Sequence, residues 1–234
     1  MKIDIIIPAH NENENLLKLF EKFSSIEIIN NFKFYICYDD ENDLCVNNID
    51  LFKKKINSNS IYLIKNDSVG VLNAIKAGFK KSNSEYVIVY PADDFSNILL
   101  IEKIYQKCEE NYDIIIASRF IKGGKLIGCP IVKKFLLLSV AYSLRYIFRF
   151  PFSDPTNGFR CFSRKVINSI PIETEEGFAF SFELLIKAYL KGFNIVELPS
   201  VWIERQIGMS NFKIIKWAPQ YLKWYFRALF HFIK

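Results

Sequence analysis

This 234-residue chain has few of the residues that build metal cages or hydrolytic dyads. Its five cysteines, Cys37, Cys45, Cys108, Cys129 and Cys161, are scattered, with no C-x-x-C and no Cys/His ligand spacing. A reducing compartment with no structural zinc is the simplest reading of that spacing. The two histidines, His10 and His231, form no catalytic dyad. There is no Gly-x-Ser-x-Gly elbow and no Gly-Lys-Ser/Thr phosphate loop, so hydrolase and kinase readings lack support. Internal repeats and low-complexity tails are absent as well.

Long hydrophobic runs are also missing. A membrane span needs about 20 consecutive apolar residues. The uncharged run 135–144 is bounded by Lys133-Lys134 and Arg145, and the C-terminal run is interrupted by Lys216, Lys223, Arg227 and Lys234. The apolar part of the first run, 2–7, is too short for a signal-peptide core, so the chain is expected in the cytosol. Association with a membrane surface remains open. Half of the chain is hydrophobic, 22 residues are Phe, and the net charge is +6. That charge suits an anionic membrane face or a phosphate-bearing ligand. No nucleic-acid motif accompanies it, so nucleic acid is not an expected partner.

What is present is an alternation. Short β-rich runs at 2–7, 32–38, 60–65, 86–90 and 113–117 are separated by helical periodicity at 13–23, 69–81 and 98–110. This predicts a mainly parallel sheet with helices on both faces. Asn11, with Glu14 three residues on, reads as a helix cap. Gly123-Gly124 and Gly128-Cys129-Pro130 read as a mobile loop. Helices are expected at about 132–150 and 180–191, with a late strand at 194–198. In the last segment Lys216, Gln220, Lys223, Arg227, His231 and Lys234 form one helical stripe. Trp217, Tyr221, Trp224, Tyr225, Ala228 and Phe232 fall opposite, with a possible break at Pro219. Such a helix suits a membrane interface, or packing on the domain or on a partner. The expected organisation is a catalytic domain over 1–212 and an amphipathic helix over 213–234.

Acidic clusters end several of the strand-like runs: Pro8-Ala9-His10-Asn11-Glu12, Asp39-Asp40 and Pro91-Ala92-Asp93-Asp94. In open parallel sheets ligands bind outside the carboxyl ends of the strands. Carboxylates there suit a nucleotide, a divalent metal and a diphosphate. Further along come Ser118-Arg119-Phe120, Asp154-Pro155-Thr156-Asn157-Gly158-Phe159-Arg160 and Glu204-Arg205-Gln206-Ile207-Gly208-Met209-Ser210.

In this order the motifs resemble the family 2 glycosyltransferases, most closely their polyprenyl-phosphate sugar transferase branch (dolichol-phosphate mannose synthase-like enzymes). The resemblance spans roughly residues 3–210 and implies a GT-A type (Rossmann-like) α/β fold. It implies an inverting transfer from a UDP- or GDP-sugar to a polyprenyl phosphate, assisted by Mg²⁺ or Mn²⁺, with a membrane surface or membrane subunit as partner. Pro8, Glu12, Asp39, Asp40, Asp93 and Arg205 inherit donor binding, and Asp93 and Asp94 the metal. Arg119 inherits phosphate binding near the reaction. Lys134 (or Lys133), Ser139 and Arg160 inherit the acceptor side. A polyprenyl phosphate needs no strong base. A sugar hydroxyl does, and Asp154 and Glu183 are then the candidates. Two departures stand out. Asp39-Asp40-Glu41-Asn42-Asp43 replaces the family's Asp-Asp-Gly-Ser-x-Asp, and Pro91 replaces the first Asp of its Asp-x-Asp. A transferase acting on a glycan acceptor and an inactive scaffold subunit are the alternatives.

Overall fold

The computed structural model describes residues 2–56, 60–204 and 214–232. The elements run β1 (Ile3–Ala9), α1 (Asn13–Phe23), β2 (Phe32–Tyr38), α2 (Leu44–Asn47), α3 (Ile49–Lys55), β3 (Ile61–Lys65), α4 (Val71–Lys81), β4 (Tyr86–Val89) and α5 (Leu100–Glu109). They continue with β5 (Ile114–Ser118), β6 (Lys125–Ile127), α6 (Ile131–Tyr142), a π-helical turn (Ser143–Ile147), β7 (Arg160–Ser163), α7 (Arg164–Ser169), α8 (Ala179–Leu190), β8 (Ile195–Pro199), β9 (Val201–Ile203) and α9 (Ile214–Phe232).

Seven strands form one sheet in the order β3-β2-β1-β4-β7-β5-β8. All its pairings are parallel except those of β7, which runs antiparallel between β4 and β5. Period-2 alternation explains its two buried faces. Ile5 and Ile7 point into one core with Leu16, Phe20, Phe34, Phe52 and Ile88. Ile6, Val87 and Val89 point into the other with Leu72, Ile75, Phe182, Leu185 and Trp224. Much of the phenylalanine excess is used here; Phe20, for example, packs edge-on to Phe34 and stacks on Phe52. Gly78 shows how closely α4 lies on the sheet, since a Cβ there would come within 2.6 Å of Ile6.

A second, two-stranded sheet pairs β6 with β9 in parallel. Residues 125–127 are thus a strand where the flanking glycines suggested only a loop. Asn11 does not cap α1: it has a φ of 56°, and Glu12 takes the cap position. Helix α9 continues through Pro219. Its aromatic stripe faces inward, with Trp224 and Ala228 almost wholly buried. Trp224 Nε1 donates to Thr174 Oγ1 at 3.0 Å, and Tyr225 Oη donates to Ser143 Oγ at 2.9 Å. Lys187, Lys223 and Arg227 all lie over the Trp224 ring.

Candidate active site

The carboxyl ends of β1, β2, β4 and β5 share one edge of the sheet, because these strands run the same way. Reversed β7 brings its beginning to that edge, where Arg160 pairs in register with Val89 and Ile116. The segments after β1, β2, β4 and β5 therefore open on one edge, and those after β4 and β5 flank the 154–159 segment, which leads into β7.

At the centre lies a closed ion pair. Arg119 Nε donates to Asp154 Oδ2 at 2.7 Å and Arg119 Nη2 to Asp154 Oδ1 at 2.8 Å. The Arg119 backbone N–H adds a third bond at 2.9 Å, and Nη2 also reaches Thr156 Oγ1 at 2.8 Å. Asp154 is fully buried and Arg119 nearly so. Burial alone would push the Asp154 carboxyl up, but the Arg119 charge and hydrogen bonds hold it below the usual carboxylate range. Burial likewise opposes the charge on Arg119, which Asp154 overcomes, raising its pKa. Glu197 of β8 grips the backbone beneath, accepting from Ser153 N at 2.8 Å and Asp154 N at 2.9 Å. No sequence motif marked Glu197.

Two expected site residues, Arg160 and Glu183, are buried and engaged within the protein. Arg160 is wholly buried, and its guanidinium donates to the carbonyls of Ser181, Asp154 (3.0 Å) and Pro155 (2.7 Å). It braces the motif from inside and presents nothing to an acceptor. Burial pushes its pKa down to about 10, against the pull of Asp154. Glu183 is also wholly buried. It accepts from Glu173 N at 2.6 Å, Thr174 N at 2.8 Å and Lys187 Nζ at 2.6 Å. Ser181 does touch the motif, its Oγ donating to Asn157 O at 2.9 Å. Glu183 is two residues further along, about 200° around a helix of 3.6 residues per turn, and so faces away. Gly158 is needed for close approach rather than for a turn: a Cβ would lie 2.8 Å from the Phe178 ring.

At the β2 end, Asp39 accepts from Asn66 Nδ2 at 2.7 Å and Gly70 N at 3.1 Å, with His10 Nδ1 at 3.8 Å. Asp40 is exposed, and its Oδ1 accepts from Asn42 N at 2.9 Å. The missing Gly-Ser is thus replaced by a turn that Asp40 closes. That turn delivers Asp43, buried, to Asn11 N at 2.7 Å and Cys45 N at 3.0 Å. Burial works against the Asp43 charge, but these hydrogen bonds hold its pKa low. Asp43 thereby ties the β1 and β2 loops together, a role its place in the acidic string did not disclose. Pro8 and Glu12 are half-buried, and Glu12 accepts from Asn15 Nδ2.

At the β4 end, Asp93 and Asp94 are half-buried. Asp94 Oδ1 accepts from Ser96 N at 3.0 Å and Asn97 N at 3.1 Å, and Oδ2 from Asn97 Nδ2 at 2.6 Å. Burial pushes the Asp94 carboxyl up to about 6, with Asp93 adding to the rise and the hydrogen bonds opposing it. Among the described residues no three His, Cys, Asp or Glu side chains converge as a metal cage. The donor set is one or two carboxylates, which suits an ion shared with substrate phosphates rather than a closed protein site.

On α6, Lys134 is exposed; Ser139 is exposed too and bonds back to Phe135 O at 2.8 Å. Lys133 pairs instead with Glu204 at 3.0 Å and lies over the Trp202 ring. Arg205 lies outside the described residues.

The sequence profile of glycosyl transferase family 2 matches residues 4–171, and the chain belongs to that family. It is 28% identical over 221 residues to the dolichol-phosphate mannosyltransferase of Pyrococcus furiosus, a match covering 91% of this chain and 60% of that protein. It is 25% identical over 130 residues to the polyprenol monophosphomannose synthase of Mycolicibacterium smegmatis, covering 50% of this chain and 49% of that one. The chain therefore spans about 60% or less of these curated relatives. Among solved structures it resembles glucosyl-3-phosphoglycerate synthase of Mycobacterium tuberculosis in complex with uridine-diphosphate, with a TM-score of 0.69 at 13% identity, covering 97% of this chain and 79% of that one. The fold is the GT-A type that the strand pattern and the resemblance implied.

Proposed function

We propose that this chain transfers a sugar from a UDP- or GDP-sugar to a polyprenyl phosphate at a membrane surface, with inversion at the anomeric carbon. One observation carries the choice of acceptor. The two carboxylates that could have served as general base are both buried and fully engaged, Asp154 by Arg119 and Glu183 by the 173–174 backbone and Lys187. A sugar hydroxyl needs a group that takes its proton, whereas a phosphate monoester arrives ionised and needs none. A phosphate oxygen then forms the bond to the anomeric carbon as the bond to the leaving nucleoside diphosphate breaks.

In this reading Pro8, Glu12, Asp39 and Asp40 line the nucleoside end, and Arg205 keeps the diphosphate role its motif implies. Arg119 organises the motif through Asp154 and does not bind phosphate with an open fork. The two buried arginines, Arg119 and Arg160, are offset locally by Asp154 and Glu197. Charge on the diphosphate therefore calls for a further cation. Asp93, with Asp94 next to it, would hold Mg²⁺ or Mn²⁺ together with the substrate phosphates. Such an ion would offset charge developing on the leaving group.

The lipid acceptor agrees with the surface of α6. Ile131, Val132, Phe135 and Leu136 are exposed, as are Tyr142, Tyr146 and Ile147 beyond them. Leu222, Phe226 and Phe230, on the outer side of α9, are exposed as well. Among the described residues no helix is long and apolar enough to cross a membrane.

The test is nucleoside diphosphate release by purified protein from UDP- and GDP-sugars, with Mn²⁺ or EDTA, with and without polyprenyl phosphate in detergent. Release that requires both metal and lipid phosphate is the expected result. Metal-dependent release indifferent to the lipid would replace the acceptor with a glycan, and no release from any donor would overturn the reading.

A further inference from the structure

We infer that Asn97 is the positioning residue for Asp93, holding the turn that displays it against strand β9. The inference rests on the reading that Asp93 faces the metal and diphosphate. The turn itself is Pro91-Ala92-Asp93-Asp94, closed by Asp94 N donating to Pro91 O at 3.2 Å. Asp93 occupies its third position, so its direction follows from how the two ends are held. At the entry, Tyr90 is buried against Phe159 of the 154–160 segment, ring centroids 4.6 Å apart, and its hydroxyl donates to Asp94 O at 3.0 Å. At the exit, Ser96 N and Asn97 N both donate to Asp94 Oδ1, and the Asn97 side chain alone ties this end to strand β9.

Asn97 is 7% exposed, and every polar atom of its side chain is in use. Nδ2 donates to Asp94 Oδ2 at 2.6 Å and to Val201 O at 2.8 Å. Oδ1 accepts from Val201 N at 2.9 Å. The side chain thus pairs with the Val201 backbone as a neighbouring strand would, while its remaining amide hydrogen fixes the Asp94 carboxylate. A carboxylate with both oxygens fixed cannot rotate, and the turn before it cannot reopen.

The anchor is firm. Val201 starts β9, which pairs with β6, and Ser200 N donates to Ser118 O at 2.8 Å beside Arg119. At its far end Glu204 is held by Lys133. Asn97 therefore joins the donor-side turn to the same framework that carries the Arg119–Asp154 pair. Groups that orient the ligands of a metal commonly change its affinity about 10- to 100-fold when removed.

The experiment follows binding rather than turnover. The full chain is titrated with Mn²⁺ in the presence of UDP or GDP, and free Mn²⁺ is read from its electron paramagnetic resonance signal. Asn97→Ala should weaken Mn²⁺ binding about 10-fold or more. Asp94→Ala should weaken it too, and the double variant should be no weaker than Asp94→Ala alone, because Asn97 acts through that carboxylate. A purely structural role would lower thermal stability and leave binding by the folded fraction unchanged, or make the two effects additive; either result overturns the inference. Should Asn97→Ala lose the wild-type circular dichroism, Asn97→Ser is read under the same criteria. Wild type that binds Mn²⁺ with neither nucleotide would refute the metal reading of Asp93 itself, and this inference with it.

Discussion

Arg119 and Asp154 are a buried pair in which neither partner can be lost singly without leaving a charge in the core. Replacing one member of such a pair costs about 3–5 kcal/mol. Asp154→Asn should therefore lower the free energy of unfolding by an amount in that range, read as a lower urea midpoint, and abolish the proposed sugar transfer. The pH dependence has a definite sign. The folded Asp154 carboxyl titrates below its unfolded value of about 3.9, so the unfolded chain binds more protons in between. The contribution is fully present above about pH 5 and is lost as pH falls through the unfolded and then the lower, folded value. Acid unfolding curves should show wild type losing stability faster than Asp154→Asn below that point. Equal slopes would mean that the pair does not form. Both residues stood out in the sequence, but their partnership did not. They are 35 residues apart, and only the reversal of β7 brings them together.

Elements with strong periodicity were legible. The runs at 32–38 and 13–23 coincide with β2 and α1, because their apolar residues recur at the period their geometry demands. Strands β6, β7 and β9 were not. Each has three or four residues, and β7 opens on a charged Arg160 whose burial depends on carbonyls from other segments. Helix α9 was legible as an amphipathic helix but ambiguous in direction, since a face of Trp, Tyr and Ala suits lipid and protein cores alike. Trp224 is 1% exposed and Ala228 is 0%, so the aromatic face is committed to the domain. Trp224→Ala should cost about 3–5 kcal/mol in equilibrium unfolding. Removing 213–234 should expose the core and raise binding of an apolar dye, which makes that truncation a poor probe of membrane association. A truncated chain as compact as wild type would contradict this packing.

Across the whole molecule, the net charge of +6 and the exposed apolar side chains of α6 and the outer side of α9 describe a surface suited to an anionic bilayer. Substituting Ile131→Asp together with Phe135→Asp removes apolar area from positions 87% and 69% exposed. Exposed sites of this kind change stability by about 0.5 kcal/mol or less. The double variant should therefore keep the wild-type melting temperature and lose sedimentation with vesicles containing acidic phospholipid. Undiminished sedimentation would move the contact surface elsewhere.

The antiparallel strand sets an order of assembly. β4 and β5 are not neighbours in the finished sheet; β7 stands between them and bonds to both. Until residues 160–163 arrive, β3-β2-β1-β4 and β5 with its later partner are separate pieces with open edges. Contacts this distant along the chain form slowly, because loop closure precedes any gain from pairing. The strand that joins the pieces directly follows the 154–159 segment. Closing the sheet and completing the candidate site therefore coincide, and a chain without residues 160–163 has neither.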